Sequence, residues 1–288
     1  MRLGGCVFYN GTDPEEFALA HVKKGFGAAV CPDWVSVERP KELAEFKRVM
    51  KEHNIKIAEV GAWCNPLSVD APEAKKNIAY MKERLKTAEE LEASTCVNII
   101  GTKLTTKWFG GCKEGYTKEF FEEAVAVSRE IIDAVNPEHA KLSFEMMPYY
   151  FLDGPEEYVK FLTAVDRKGA GVHLDLCNSI NQPRRYYQNT EFIHETFALL
   201  RDKIVTLHLK DILLYEEELT VVLKEVLLGT GGVDYVTLME EIATLPEDTP
   251  AILEHLKTEA EYDRAAEAAV KFAKMAGMSR EGMKWVKA

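Results

Sequence analysis

The stretch GVHLDLCN, Gly171 to Asn178, reads as a short buried strand ending on an ionisable residue. Successive side chains of a strand point to opposite faces. Leu174 and Leu176 therefore share one face, and His173, Asp175 and Cys177 share the other. A carboxylate set opposite bulky apolar neighbours faces a cavity that needs the charge, since an unpaired buried carboxylate costs several kcal/mol. The same construction recurs in three further segments. KLSFEMMP (Lys141 to Pro148) turns Ser143, Glu145 and Met147 inward against Phe144 and Met146. VTLHLKD (Val205 to Asp211) turns Thr206, His208 and Lys210 inward against Leu207 and Leu209. AILEHL (Ala251 to Leu256) turns Glu254 inward with Ile252 and sends His255 outward.

Glu145, Asp175, His208 and Glu254 follow one another at intervals of 30, 33 and 46 residues. Each interval holds roughly one strand, one helix and their loops, so residues far apart in sequence become neighbours in a parallel barrel. Eight apolar runs bounded by turn residues fit that plan: Leu3 to Phe8, Gly27 to Cys31, Ile55 to Trp63, Cys96 to Thr102, Leu142 to Met147, Ala170 to Leu176, Ile204 to Lys210 and Ala251 to Leu256. Amphipathic stretches alternate with them: Pro14 to Lys24, Pro40 to His53, Ala74 to Ala93, Thr117 to Val135, Pro155 to Val165, Glu191 to Leu200, Tyr235 to Thr244 and Glu261 to Ala276. Eight strand and helix alternations predict an α/β protein with one (β/α)8 TIM barrel, for which about 250 residues is usual.

The chain has 288 residues, 47% of them hydrophobic, and no Ser/Gly/Pro linker, repeat or charge block divides it, so residues 1–288 are expected to form a single domain. With 47 acidic and 36 basic residues its formal net charge is -11. That balance opposes binding to nucleic acid and to anionic membrane surfaces and favours a small-molecule substrate. No run approaches the roughly 20 apolar residues of a membrane span, and the polar-punctuated start is unlike a signal peptide. The expectation is a cytoplasmic protein, for which a homo-oligomer is compatible. The six cysteines, at positions 6, 31, 64, 96, 112 and 177, form no C-x-x-C pair. They are expected to be reduced thiols, most of them buried.

Three carboxylates and one imidazole at neighbouring strand ends make a site for a divalent metal ion. The alternative is a structural ion-pair network in which Lys210 and Arg184 hold Glu145 or Glu254. Too few cations come from the same strand ends to balance three acids, which favours the metal. Oxygen-rich ligation with one imidazole suits Mn²⁺ first, then Mg²⁺ or Co²⁺, with Zn²⁺ also compatible. A metal that chelates a carbonyl oxygen and its neighbouring hydroxyl acidifies the carbon between them, and two flanking carboxylates can then act as base and acid. Return of the proton to the other face of that carbon is epimerisation, and its return to the adjacent carbon is aldose–ketose isomerisation. Loss of a β leaving group is elimination, the lyase alternative.

In their order and spacing, the segments LGGCVF, KKGFGAAVCP, EVGAWCNPL, LSFEMMP, VHLDLCN, LHLKDI, LGTGGVDY and LEHL resemble the xylose isomerase-like sugar phosphate isomerase and epimerase superfamily over nearly the whole chain. The resemblance implies a TIM-barrel isomerase or epimerase of carbohydrate metabolism. It implies one divalent cation bound by Glu145, Asp175, His208 and Glu254, with the two glutamates as acid/base pair. Several relatives have a histidine three residues after the metal-binding aspartate. Asn178 stands there in this chain and suits a substrate hydrogen bond rather than a proton relay. An endonuclease IV-like repair enzyme shares the barrel but needs more histidines and a basic surface. A non-catalytic metabolite-binding barrel would not need all four ligand types.

Other positions fill out the expected site. Lys210 shares its strand face with His208 and suits either oxyanion stabilisation or neutralisation of Asp175 or Asp211. Asn65, before Pro66, is a substrate contact from the third-strand loop or an ordinary turn residue. Trp63 and Trp108 are candidate walls for a sugar ring. Arg184, in the loop Asn181 to Tyr187, is a candidate substrate ligand on a lid. His173 reads as a satisfied core histidine. Gly229-Thr230-Gly231-Gly232 reads as the turn into the next helix, with phosphate binding as its functional alternative.

Overall fold

The computed structural model describes residues 1–288. Eight parallel strands form one sheet: β1 (Arg2–Gly4), β2 (Ala28–Val30), β3 (Lys56–Gly61), β4 (Thr95–Asn98), β5 (Lys141–Phe144), β6 (Val172–Asp175), β7 (Ile204–Leu209) and, after an inserted hairpin, β10 (Pro250–Leu253). The order is β5-β4-β3-β2-β1-β10-β7-β6, and bridges from Leu142 to Ala170 and from Glu145 to His173 join the two edges. The sheet is therefore a closed barrel, with no free edge to template pairing with another chain. The strands are shorter than their apolar runs, because residues past the carboxyl ends turn into loops. At Gly101, for instance, φ is 109°, and a Cβ would lie 2.6 Å from Asn65 Oδ1.

Helices α1 (Pro14–Lys24), α2 (Pro40–Glu52), α3 (Ala71–Glu90), α4 (Lys118–Val135) and α5 (Pro155–Val165) fill the first five crossovers. Short α6 (Leu176–Ser179) and α7 (Pro183–Tyr187) precede α8 (Asn189–Leu200), and α9 (Tyr235–Ile242) and α10 (Glu259–Met275) complete the ring. Their starts are written locally. Asp13 and Asp70 accept amide hydrogen bonds from the first turns of α1 and α3, and Thr258 with Glu261 forms a capping box on α10. The main apolar core, 66 buried residues, lies between barrel and helices. None of the helices is long and apolar enough to cross a membrane.

Two hairpins were not expected. β8 (Asp211–Leu214) pairs antiparallel with β9 (Leu223–Val226) between β7 and α9, and β11 (Met278–Glu281) pairs with β12 (Lys284–Lys287) at the end of the chain. The second covers the amino-terminal end of the barrel: the Met1 ammonium donates to Trp285 O at 2.7 Å and Trp285 N donates to Met1 O at 2.8 Å. Inside the barrel, Ala28, Ala58 and Ile252 form a separate small cluster. A Cβ on Gly4 would lie 2.5 Å from Ala28 O and 2.6 Å from Ile252 Cδ1, so the barrel is closed at this level.

Candidate active site

At the carboxyl ends of β5, β6, β7 and β10, one ligand atom from each of Glu145, Asp175, His208 and Glu254 lies within 4.8 Å of the others. Strand register brings them together: Asp175 pairs with His208, and His208 with Ile252, two residues before Glu254. His208 Nδ1 faces Glu254 Oε2 at 2.9 Å, Glu145 Oε1 at 3.4 Å and Asp175 Oδ2 at 3.7 Å. Asp175, Glu145 and His208 are buried, and Glu254 is partly open to the cavity above.

Lys210 enters the same cluster. Its ammonium lies 2.6 Å from Asp175 Oδ2, 2.8 Å from Glu254 Oε2 and 3.3 Å from Glu145 Oε1. The Tyr235 hydroxyl, donating to the Lys210 carbonyl, helps fix the backbone there. The ion-pair network foreseen as the alternative to metal is thus present in part, built on Lys210 and without Arg184. Even so, Asp175 Oδ2 and Glu254 Oε2 accept no well-aligned hydrogen bond. Buried anionic oxygens lacking aligned donors, convergent from four strands and already holding a cation, fit a divalent ion.

A second layer lies beneath. His208 Nε2 faces Glu59 Oε2 at 3.3 Å, Thr206 Oγ1 donates to Glu59 Oε1 at 3.0 Å, and His173 Nδ1 is 3.6 Å from the same oxygen. Each ring nitrogen of His208 therefore meets carboxylate, the geometry in which an outer carboxylate orients a ligand histidine. Glu59 was missed in the sequence because β3 slips register opposite Ala29 and Val30, skipping Ala58. This bulge lets Ala58 and Glu59 both face the interior, which strict alternation forbids. His173 is buried as expected but is not satisfied: neither ring nitrogen has a hydrogen-bond partner.

Charge sorts these groups. Burial pushes the Glu145 carboxyl up to about 7, against the pull of His208 and Lys210. Against burial, Lys210 and His208 hold Asp175 well below the usual carboxylate range, and His208 and Lys210 likewise hold Glu254 down. Glu59, although buried, is also held down by His208 and His173. The carboxylates in turn raise His208 and Lys210 well above their ordinary values despite burial. Burial, with His208 next in effect, lowers His173 to about 4, so that ring is neutral.

Above the cluster opens a cavity of about 600 Å3, reached by Glu145, Glu254, Asn178 and Trp63 among others. Asn178 Nδ2 donates to Glu145 Oε1 at 3.0 Å, and its backbone N–H donates to Asp175 Oδ1 at 2.9 Å. Three expectations need correction. Asn65 is spent on loop structure, donating to Thr102 O and accepting from Thr102 N and Leu67 N, and does not reach the cavity. Arg184 is exposed on α7 away from the cavity, where Arg185 instead ties Asp153 O and Ser179 O together. His255 does not point outward: β10 ends at Leu253, and φ of 59° at His255 swings the ring onto the cavity wall, 2.9 Å from Glu225 Oε2 and 3.5 Å from Glu254 Oε2. Glu225 comes from the β8–β9 hairpin, whose only trace in the sequence is the β-branched run Thr220 to Val222. The glycine turn holds no space for phosphate: the N–H groups of Gly229, Gly231 and Val233 donate to the Asp211 carboxylate.

A fold-wide match accompanies this geometry. The chain belongs to the xylose isomerase-like TIM barrel family, whose model matches residues 23–287. No curated protein sequence matches it. Similar solved structures include a xylose isomerase-like TIM barrel protein from Mycobacterium smegmatis in complex with magnesium (18% identity, TM-score 0.66, covering 92% of this chain and 89% of that one). D-psicose 3-epimerase with D-tagatose from Clostridium cellulolyticum H10 is 17% identical, with a TM-score of 0.67 and coverage of 96% and 99%. A probable 3-DHS dehydratase from Bacillus anthracis is 16% identical, with a TM-score of 0.69 and coverage of 94% and 98%. At these identities the likeness is one of fold.

Proposed function

We propose that the protein is a metal-dependent isomerase or epimerase of a carbohydrate, working by proton transfer at the carbon next to a carbonyl. The observation that carries this reading is the convergence of four strand-end donors, two of them glutamates, beneath one open cavity. Glu145, Asp175, His208 and Glu254 would hold one divalent ion, with Mn²⁺ or Mg²⁺ the best match to an oxygen-rich set with a single imidazole. When bound, such an ion supplies Lewis-acid polarisation of the substrate carbonyl.

The remaining work falls to the chain. Glu145, with its carboxyl at about 7, is poised near neutrality to give or take a proton, the condition general acid–base catalysis favours. Glu254, held ionised, is the complementary base. Asn178, hydrogen-bonded to Glu145, fixes the orientation of that carboxyl and has a second amide hydrogen on Met146 O, so it positions without titrating. Lys210, within reach of both glutamates, places positive charge where an enediolate's negative charge develops. Opposed environments on two carboxylates in one site are the pattern by which acid and base roles separate.

The test is proton exchange. Incubated with a free ketose in deuterated water, the metal-loaded protein should place deuterium on the carbon beside the carbonyl and return an epimer or an aldose. Glu145→Gln and Glu254→Gln should each lower turnover by about 10²–10⁴-fold. Full activity in both variants, or a product formed by loss of water, would overturn the assignment.

A further inference from the structure

The cavity above the glutamates has an unusual division of labour. Trp63, Trp108, Phe109 and Tyr149 supply apolar wall, and Glu225 with His255 supplies a hydrogen-bonded polar rim. Trp63 and Trp108 keep 39% and 41% of their surface exposed, although large aromatic side chains are normally covered. Apart from the Lys210 ammonium beneath the two glutamates, no lysine or arginine serves the space, and three carboxylates line it. Outside the lining, Lys103 pairs with Glu123 at 2.6 Å, and the exposed Lys107 lies 5.1 Å over the Phe109 ring. The glycine turn at Gly229 to Gly232 already holds the Asp211 carboxylate with its amides.

A phosphate ester carries close to two negative charges and is bound by arginine, lysine or a free amide cradle. Beyond Lys210, which is already paired with Asp175, Glu254 and Glu145, none of these faces the cavity. Volume gives the second constraint. At about 600 Å3 the space lies mid-range for pockets of drug-sized ligands, about 300–1,000 Å3, and is larger than a single hexose needs; Trp63, Trp108, Phe109 and Tyr149 are among its walls. Resting on the ketose chemistry proposed above, we infer that the site takes an uncharged carbohydrate of two rings, a keto-disaccharide or keto-glycoside without phosphate. Its reacting end sits at Glu145 and Glu254. Its second ring stacks on the tryptophan wall, with hydroxyl groups read by Glu225 and His255.

Two fructose derivatives substituted at the same oxygen provide the test. Isomaltulose carries a glucosyl group there, and D-fructose 6-phosphate a phosphate. Binding is read by quenching of tryptophan fluorescence and by calorimetry, with deuterium incorporation followed in parallel. Isomaltulose should bind about tenfold more tightly than D-fructose, the scale of one added aromatic contact, and D-fructose 6-phosphate more weakly than D-fructose. Trp108→Ala, at an exposed position, should remove the advantage of isomaltulose over D-fructose. D-fructose 6-phosphate binding as tightly as isomaltulose, or isomaltulose binding no better than D-fructose, would overturn the inference. Exchange on D-fructose 6-phosphate alone would overturn it while leaving the isomerase assignment standing. The predicted binding order with no exchange on any sugar would support the inference and overturn that assignment.

Discussion

His208 joins two buried anionic groups, Glu254 with its companions through Nδ1 and Glu59 through Nε2. If Glu59 sets the ring's orientation and raises its basicity, then Glu59→Gln should lower divalent-ion affinity about 10–100-fold while the barrel still folds. Calorimetric titration with Mn²⁺ checks this, and unchanged affinity would reduce Glu59 to packing. The strand-end acids were legible in the sequence because side-chain alternation is a local rule. It exposes Asp175 between Leu174 and Leu176 without knowledge of the rest of the chain. Glu59 was not legible, since its direction depends on a bulge between two strands. His255 was hidden by a single backbone angle, whose sign no side-chain pattern reports.

At the scale of elements, the barrel strands and their helices could be read because each carries its own period and cap. The β8–β9 hairpin could not, because its stability comes from an anchor distant in sequence. Asp211 opens it and receives N–H donors from Ile212, Gly229, Gly231 and Val233. Asp211→Ala would leave one buried N–H group and three part-buried ones without this acceptor, and a fully buried loss costs about 1–3 kcal/mol. The variant should show a lower denaturation midpoint, with hydrogen exchange accelerated first in residues 211–233. Asp211→Asn, which keeps one acceptor oxygen, should lose less. Exchange rates unchanged in both variants would remove Asp211 as the anchor.

Across the whole molecule, the interior charges make stability depend on pH in two opposed ways. Asp175, Glu254 and Glu59 are held below the usual carboxylate range, so their contribution is present above that range and is lost as pH falls through their lowered values. Glu145 moves the other way: raised from 4.5 to about 7, it withdraws stability as pH climbs across that interval. His208 and Lys210, both raised, keep their contributions through that window and lose them only as pH rises through their folded values. His173 and His21, both lowered to about 4, gain stability over much of the same interval, so the Glu145 contribution is isolated by substitution. As pH rises from about 5 to about 7, metal-free Glu145→Gln should gain melting temperature relative to the metal-free wild type. Divalent ion should restore the loss at the alkaline side, because a bound cation favours the ionised carboxyl. A melting-temperature difference between Glu145→Gln and wild type that stays constant from pH of about 5 to about 7 would contradict this assignment. The architecture itself was plain in the sequence from eight alternations. The closing hairpin was not, since β11 and β12 are short and β12 is tied, through Trp285, to Met1 at the other end of the chain.

The contact of Gly4 with Ala28 and Ile252 leaves no gap the width of a methyl group, and therefore none for a water molecule. With Ala28, Ala58 and Ile252 packed at this level, side chains fill the interior below the site. Solvent, substrate and product share one mouth, and an occupant of that mouth seals everything behind it. His173 and Glu59 then exchange protons with the outside only between visits, so the tempo at which their hydrogens turn over is a clock for how long each guest stays.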